Sequence, residues 1–225
     1  MKTILVIADP HDPFSHPNYL KFCQDTAKGW GTNETVCIGD LVDNHAISRH
    51  QTESVAMGAL QEREAVLKSI EKWTKAFPKV KLCLGNHDTI PTRQLATLGI
   101  PEDYLKSFKN TWGLPKGWEI AEEFIIDNIL FKHTPTVGGK SGCFKSCLIE
   151  GMNVVAGHLH SVAGVQFFAN KRRLLWTAMV GSGIHEGSYA FNYGKNIGDR
   201  PILSCLIIKN GVPHIIPMGE KYFRN

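Results

Sequence analysis

One segment of the chain decides the fold: residues 34–43, which read ETVCIGDLVD. Its first five residues are mostly β-branched or apolar and predict a short strand, Glu34–Ile38. The run then breaks at a glycine, and two carboxylates follow, Asp40 and Asp43. In an open α/β sheet, ligands bind at the carboxyl ends of the strands. The segment therefore predicts a strand that delivers acidic side chains to a site.

The same arrangement is found on both sides of this segment. The apolar run Thr3–Ala8 ends at Asp9, and the predicted strand Val80–Leu84 ends at a Gly-Asn-His-Asp sequence. Apolar residues at helical spacing predict helices between the strands, over Pro17–Lys28 and Val55–Phe77. A β-α-β-α-β order implies parallel strands joined by right-handed crossovers.

The second half of the chain is richer in strands and hairpins. Turn signals at Asp127-Asn128 and Asn210-Gly211 predict two of the hairpins. The predicted strands are Phe124–Ile126, Ile129–Lys132, Asn153–Ala156, Val162–Phe168, Arg172–Ala178, Ile202–Lys209 and Val212–Pro217, with a short helix over Lys145–Glu150. This order predicts a second sheet packed on the first, within one domain over residues 1–225. The proline-interrupted segment 89–120 is predicted to be irregular and to form a small cover of short helices.

The composition excludes several classes of protein. Of 225 residues, 43% are hydrophobic and 20% are charged, which is typical of a globular chain and not of a disordered one. No apolar run approaches the length of a membrane span, so we expect no membrane segment. The formal net charge of +4 permits a phosphate-bearing partner without requiring one.

The cysteines indicate a reducing compartment. The chain has six cysteines, and they form no CxxC pair. Cys37 and Cys83 lie inside apolar runs, where cysteine behaves as a small hydrophobic residue. The apolar start of the chain ends at Asp9, which is too early for a signal peptide. We therefore expect reduced thiols and a cytoplasmic location.

Side chains with metal-binding donors fall at the ends of the predicted strands. The candidates are Asp9, His11, Asp40, Asn86, His133, His158 and His160. Carboxylate, amide oxygen and imidazole together suit intermediate divalent metals such as Mn, Fe or Zn, and no cysteine joins them. Seven donors exceed what one catalytic ion needs, whereas two ions that share a carboxylate would use them all.

The motifs that carry these residues resemble those of the calcineurin-like metallophosphoesterases, over about residues 1–217. The blocks are Asp9-x-His11, Gly39-Asp40-x-x-Asp43, Gly85-Asn86-His87-Asp88, His133 and Gly157-His158-x-His160. Each block is common by itself, whereas all five blocks in this order, each at the end of a predicted strand, are a specific signal. The resemblance implies two packed mixed β-sheets flanked by helices, a four-layer α/β/β/α sandwich. It also implies metal-dependent hydrolysis of phosphate esters.

The resemblance further implies a role for each residue. Asp9, His11 and His160 would hold one divalent ion, Asn86, His133 and His158 would hold a second, and Asp40 would bridge the two. A hydroxide between the ions would attack phosphorus in line. His87 would stabilise charge or protonate the leaving oxygen, and Asp43 would orient its imidazole. The ions are expected to be Mn, with Fe, Zn or Ni as alternatives.

The sequence departs from the family pattern in two places. Phosphoprotein phosphatases of this superfamily usually have arginine directly after the second aspartate of the second block, where this chain has Asn44. The fourth block usually reads His-Gly, and here it reads His133-Thr134. Because a phosphate-binding arginine is missing from its usual place, we expect phosphodiesters to be favoured over monoesters. There is also no room in the chain for the large capping domain of the repair nucleases.

Three other functions stay open at this point. A small nuclease acting on nucleic-acid ends is indicated by the basic residues Lys171, Arg172 and Arg173, and a nucleotide substrate is a related alternative. A phosphoprotein phosphatase and a non-catalytic, metal-bound scaffold are the others, although the scaffold is disfavoured because His87 is retained. The sequence assigns no role to His45, Arg49 or His185, and it leaves the oligomeric state undetermined.

Overall fold

A computed structural model describes residues 2–49, 54–190 and 199–223 of the chain. The strands are β1 Thr3–Ile7, β2 Glu34–Cys37, β3 Val80–Cys83, β4 Trp118–Ala121, β5 Glu123–Ile126, β6 Ile129–Lys132, β7 Asn153–Ala156, β8 Ala163–Ala169, β9 Leu174–Val180, β10 Ser204–Lys209 and β11 Val212–Pro217. The helices are α1 Tyr19–Trp30, α2 Ala59–Ala76, α3 Ile90–Thr97, α4 Phe108–Thr111 and α5 Gly142–Glu150.

The strands form two mixed sheets. The first has the order β11-β10-β1-β2-β3-β4, in which β1 to β4 are parallel and β10 runs antiparallel to β1. The second has the order β5-β6-β7-β9-β8, in which β6, β7 and β9 are parallel. The parallel pairing predicted for the first half of the chain is therefore confirmed.

Three apolar cores separate four layers. Leu5 and Ile7 of β1 face one way, into a core shared with α1 and α2. Ile4 and Val6 face the other way, into a core between the two sheets. A third core lies between α5 and the outer face of the second sheet. Because successive side chains of a strand point to opposite faces, β1 contributes to both of the first two cores. The predicted α/β/β/α sandwich is confirmed.

The helix boundaries differ from prediction for identifiable reasons. The helix predicted over Pro17–Lys28 begins later, at Tyr19, and continues to Trp30, because Gly31 adopts the left-handed cap conformation with φ 64°. The predicted helix over Val55–Phe77 begins four residues later, after the cap residue Gly58. Leu60, one of the apolar residues at helical spacing in this segment, is nevertheless 68% exposed.

Segment 89–120 contains the predicted short helices, α3 and α4, and also part of a strand that was not predicted. Trp118–Ala121 forms β4 and pairs in parallel with β3 at the edge of the first sheet. This strand has only four residues and follows Gly117 directly, so its pattern is too short to indicate a strand.

All six cysteines are buried and unpaired. Within the described ranges, no helix has both the length and the apolar character needed to cross a bilayer.

Candidate metal centre

The structure brings all nine predicted site residues to one edge of the sandwich. They lie in the loops that follow β1, β2 and β3 of the first sheet and β6 and β7 of the second. Each loop begins where an apolar strand ends, so the strand packing fixes where its polar residues emerge. The residues are Asp9, His11, Asp40, Asp43, Asn86, His87, His133, His158 and His160.

The loops after β1 and β2 stay paired beyond the strands themselves. The amide of His11 donates to the carbonyl of Asp40 at 2.8 Å, and the amide of Asp43 donates to the carbonyl of Asp12 at 3.0 Å. This backbone pairing holds the two aspartate-bearing loops side by side. It therefore sets the spacing of their side chains before any ligand binds.

Four predicted ligands have a backbone conformation that L-residues rarely adopt. Asp9, His11, Asp40 and His158 have positive φ angles of 46°, 53°, 46° and 71°. Such conformations cost of order 1–3 kcal/mol each and persist where the surroundings impose them. Their concentration at one edge is the pattern expected of a functional site.

Donor atoms converge there in three overlapping groups: one joins His11, Asp43 and His87, and the other two are clusters that share Asp40. In the first cluster, one ligand atom from each of four residues lies within 4.8 Å of the others: Asp9, His11, Asp40 and His160. The Nε2 atoms of His11 and His160 are 3.0 Å apart. In the second cluster, one ligand atom from each of Asp40, His133 and His158 lies within 4.8 Å of the others. Asn86 completes it, because its Oδ1 lies 2.9 Å from the Nε2 of His133.

Asp40 belongs to both clusters. Its Oδ2 lies 3.5 Å from Nε2 of His11 and 3.1 Å from Nε2 of His133. Its Oδ1 accepts the main-chain N–H of His87 at 2.8 Å, which fixes the plane of the carboxylate. One buried oxygen thus faces both donor sets, which is the geometry that a bridging ligand needs.

The imidazoles are oriented by their second nitrogens. Nδ1 of His133 lies 3.0 Å from the carbonyl of Ile38, which can only accept, so this nitrogen carries the proton and Nε2 faces the cluster. Nδ1 of His11 lies 2.5 Å from the carboxylate of Asp43. Histidines that bind metals are usually held in this way by a carbonyl or a carboxylate.

Asp43 makes a different contact from the one predicted. Its carboxylate was expected to orient His87, but its close partner is His11, and its distance from Nδ1 of His87 is 3.4 Å. Asp43 holds His87 through its main-chain carbonyl instead, at 2.8 Å from Nδ1. Asn44 adds a second restraint, since its side-chain amide donates to the carbonyl of His87 at 2.9 Å.

The electric field of the centre favours positive charge. Burial opposes a charged imidazole, yet Asp40 and Asp9 raise the pKa of His133 to about 10. Burial likewise opposes a charged Asp40, yet the surrounding histidines hold the pKa of its carboxyl well below the usual range. The carboxylates therefore stabilise a cation at the centre, and a divalent ion would compete with the proton for this place.

The residues present fit a bound metal. Oδ1 of Asp9 is buried and accepts no hydrogen bond from the described residues, so it has a lone pair to offer. The backbone also approaches the carboxylates closely. A Cβ at Gly85 would collide with the carboxylate of Asp40, and one at Gly157 would collide with that of Asp9. The two glycines are thus required by the packing around the donors.

The buried carboxylate of Asp88 supports two of the loops. Asp88 accepts the main-chain N–H of Val42 at 3.0 Å and that of Gly85 at 2.8 Å. It therefore joins the loop after β2 to the loop after β3. Burial, together with the charge of Asp40, raises the pKa of Asp88 to about 7.

We expect Trp73→Phe to destabilise the fold by about 1–3 kcal/mol, because it removes one hydrogen-bond donor from a buried carboxylate. The indole N–H of Trp73 donates to Oδ2 of Asp12 at 2.6 Å, and both side chains are buried. Urea unfolding would measure the change. Trp112→Phe is the matched control, since Trp112 is also buried and its indole makes no hydrogen bond within the described ranges. Equal losses in the two variants would contradict the prediction.

The structure also places the three residues left without a role. His45 is buried, with Nδ1 3.7 Å from Oδ2 of Asp43. His185 lies against the ring of His16, with 5.4 Å between ring centroids, and not among the donor clusters. Arg49 lines a cleft beside His87, together with Arg93, a residue that no sequence pattern singled out.

A two-sheet sandwich with paired carboxylate and imidazole clusters at its strand ends defines a candidate centre for divalent metal ions. A family model described as calcineurin-like phosphoesterase matches residues 2–192. The chain therefore belongs to the calcineurin-like phosphoesterase family, and the resemblance seen in its motifs is confirmed. No curated protein gives a significant match to the chain.

Solved structures with a similar fold share little sequence with this chain. The Escherichia coli phosphoesterase YfcE is 14% identical with a TM-score of 0.48, covering 95% of this chain and 92% of that one. Vacuolar protein sorting 29 from Cryptosporidium parvum is 13% identical with a TM-score of 0.46, covering 96% of each chain. The nuclease MPE from Pseudomonas putida is 15% identical with a TM-score of 0.39, covering 96% and 87%.

Proposed function

We propose that the chain hydrolyses phosphate esters, with phosphodiesters favoured, by a two-metal mechanism with in-line attack of hydroxide. The observation that carries this proposal is the pair of donor clusters that share Asp40, with His87 beside them. The family assignment supports a metal-dependent hydrolase and leaves the substrate open.

The donor sets divide between two ions. Asp9, His11 and His160 would hold the first, while Asn86, His133 and His158 would hold the second, and Asp40 would bind both. When bound, the ions supply Lewis acidity and lower the pKa of water. We propose Mn²⁺, with Fe, Zn or Ni as alternatives, because the donors are nitrogen and oxygen without a thiolate.

His87 would act as the general acid. Its Nδ1 is committed to the carbonyl of Asp43, so Nε2 is the nitrogen that can donate a proton to the leaving oxygen. Burial lowers the pKa of His87, but the charges of Asp40 and Asp43 outweigh it and raise the pKa above 6.5. This direction enlarges the fraction of His87 that carries the proton an acid needs.

With Mn²⁺, we expect the purified protein to hydrolyse bis-p-nitrophenyl phosphate with a kcat/KM at least about tenfold above that for p-nitrophenyl phosphate. The reason is that Asn44 replaces an arginine that would make a charge-assisted hydrogen bond to a monoester, worth about tenfold or more. EDTA should abolish both activities. A faster monoester would contradict the diester preference, and no metal-dependent turnover of either compound would contradict the proposed function.

The basic residues that indicated a nuclease lie away from the centre. Residues 171–173 form the turn between β8 and β9, and β8 begins three residues after His160. Seven residues of strand separate the turn from the centre, about 20 Å at 3.3 Å per residue. Arg173 donates to the carbonyl of Gly151, which gives it a structural partner. These residues therefore give no support to binding of nucleic acid at the centre.

The cellular location is also a proposal. All six thiols are buried and unpaired, which fits a reducing compartment, and we propose the cytoplasm.

A further inference from the structure

A cleft opens on the side of the centre where His87 lies. Its volume is about 390 Å³, and Asn86 and His87 form part of its wall. Cavities of this size hold small ligands. If His87 protonates the leaving oxygen, the leaving group departs on its side of the phosphorus, and the cleft is the space that receives it.

Two arginines line this cleft. Arg93 of α3 donates from Nη2 to the carbonyl of Asn86 at 2.6 Å, so its guanidinium is held next to a predicted metal ligand. Arginine has five N–H donors in a planar fork, and this contact uses one of them. Arg49 lines the same cleft from the segment that follows the loop after β2.

The two segments that carry the arginines are connected. The side-chain amide of Gln94, the neighbour of Arg93, donates to the carbonyl of Ile47 at 3.3 Å, two residues before Arg49. Both guanidiniums are exposed, and no carboxylate among the described residues pairs with either. The described wall of the cleft is therefore cationic and includes no acidic residue.

We propose that Arg49 and Arg93 form a subsite for a phosphate carried by the leaving group of the substrate. The arginine fork matches the oxygens of a phosphate and binds it more specifically than a lysine would. Substrates in which a second phosphate follows the scissile one, as in short nucleotide chains, are then preferred. This inference rests on the proposed function, because the leaving group exists only if an ester is cleaved.

The kinetic test compares the dinucleotide TpT with pTpTp, which carries a phosphate on both ends and so on either leaving group. With Mn²⁺, kcat/KM should be at least about tenfold higher for pTpTp, as expected of a charge-assisted hydrogen bond. Arg49→Gln and Arg93→Gln should each lower this ratio severalfold, and the double variant should bring it to about one. Arg172→Gln, in the distant hairpin turn, is the control and should leave the ratio unchanged. A ratio that survives the double substitution overturns the subsite.

A binding test separates the subsite from catalysis. Thymidine 3′,5′-bisphosphate is titrated by calorimetry into the metal-free protein in EDTA, with circular dichroism to confirm that each variant folds. We expect either glutamine substitution to weaken binding about tenfold and added salt to weaken it in the wild type. Unchanged affinity in both variants overturns the subsite. If no ester is hydrolysed under any metal, the proposed function fails, while this titration still decides whether the arginines bind phosphate.

Discussion

His87→Ala is expected to lower kcat by about 10²- to 10⁴-fold, the range attributed to a positioned general acid. The metal content should stay near two ions per chain, because His87 donates no atom to the proposed ligand sets. The loss should be larger for a nucleoside leaving group than for p-nitrophenolate, since the weaker leaving group depends more on protonation. Turnover and metal analysis of the same preparation would measure both effects.

The control for this substitution is His214→Ala, which makes the same chemical change on β11, away from the centre. It should leave turnover and metal content unchanged. If His87→Ala kept the wild-type kcat with both leaving groups, His87 would not be the acid. If it lost the metals instead, its role would be that of a ligand.

Asp40→Asn should remove at least one ion and lower kcat by at least about 10³-fold, because several kcal/mol of charge stabilisation by the metals are lost. Asparagine has nearly the same shape as aspartate, can still accept the N–H of His87, and tolerates the positive φ of 46° at this position. The change therefore removes charge with little disturbance of the fold. Elemental analysis and turnover with Mn²⁺ would measure it.

Asp127→Asn is a matched control. Asp127 also has a positive φ, of 51°, and lies in the turn between β5 and β6. The same substitution there should change neither metal content nor turnover. An Asp40→Asn protein that still bound two ions would show that Asp40 is not shared between them.

The sequence alone placed the predicted donor residues together at one edge because of one geometric rule. Apolar strands have few alternatives to burial, so the polar residues that end them must emerge at the sheet edge, where Asp9, Asp40 and His133 are found. The order of the predicted strands also indicated a second sheet packed on the first, and periodicity of this kind can be seen in one sequence. The four-layer arrangement came from the resemblance of the motifs to a known family, and it agrees with the packing of alternate residues of β1 on opposite faces.

The features that prediction missed depend on contacts between distant segments. Nothing in the spacing shows that the carboxylate of Asp43 lies closer to His11 than to His87, since the difference between 2.5 and 3.4 Å depends on how two loops pack. Arg93 lies on a short helix inside a segment expected to be irregular, and its place beside Asn86 is a tertiary contact. Prediction failed in the same way for β4, a four-residue edge strand.

The donors of each proposed ion come from both sheets. For the first ion, Asp9 and His11 follow a strand of the first sheet and His160 follows one of the second. For the second ion, Asn86 follows a strand of the first sheet and His133 follows one of the second. A bound ion would therefore cross-link the two halves of the sandwich and would find no such set in the unfolded chain. By mass action, free metal at 100 times Kd would add about 2.7 kcal/mol to the folding free energy per ion. The lifetime of the protein in a cell would then depend on the supply of metal as well as on its own sequence.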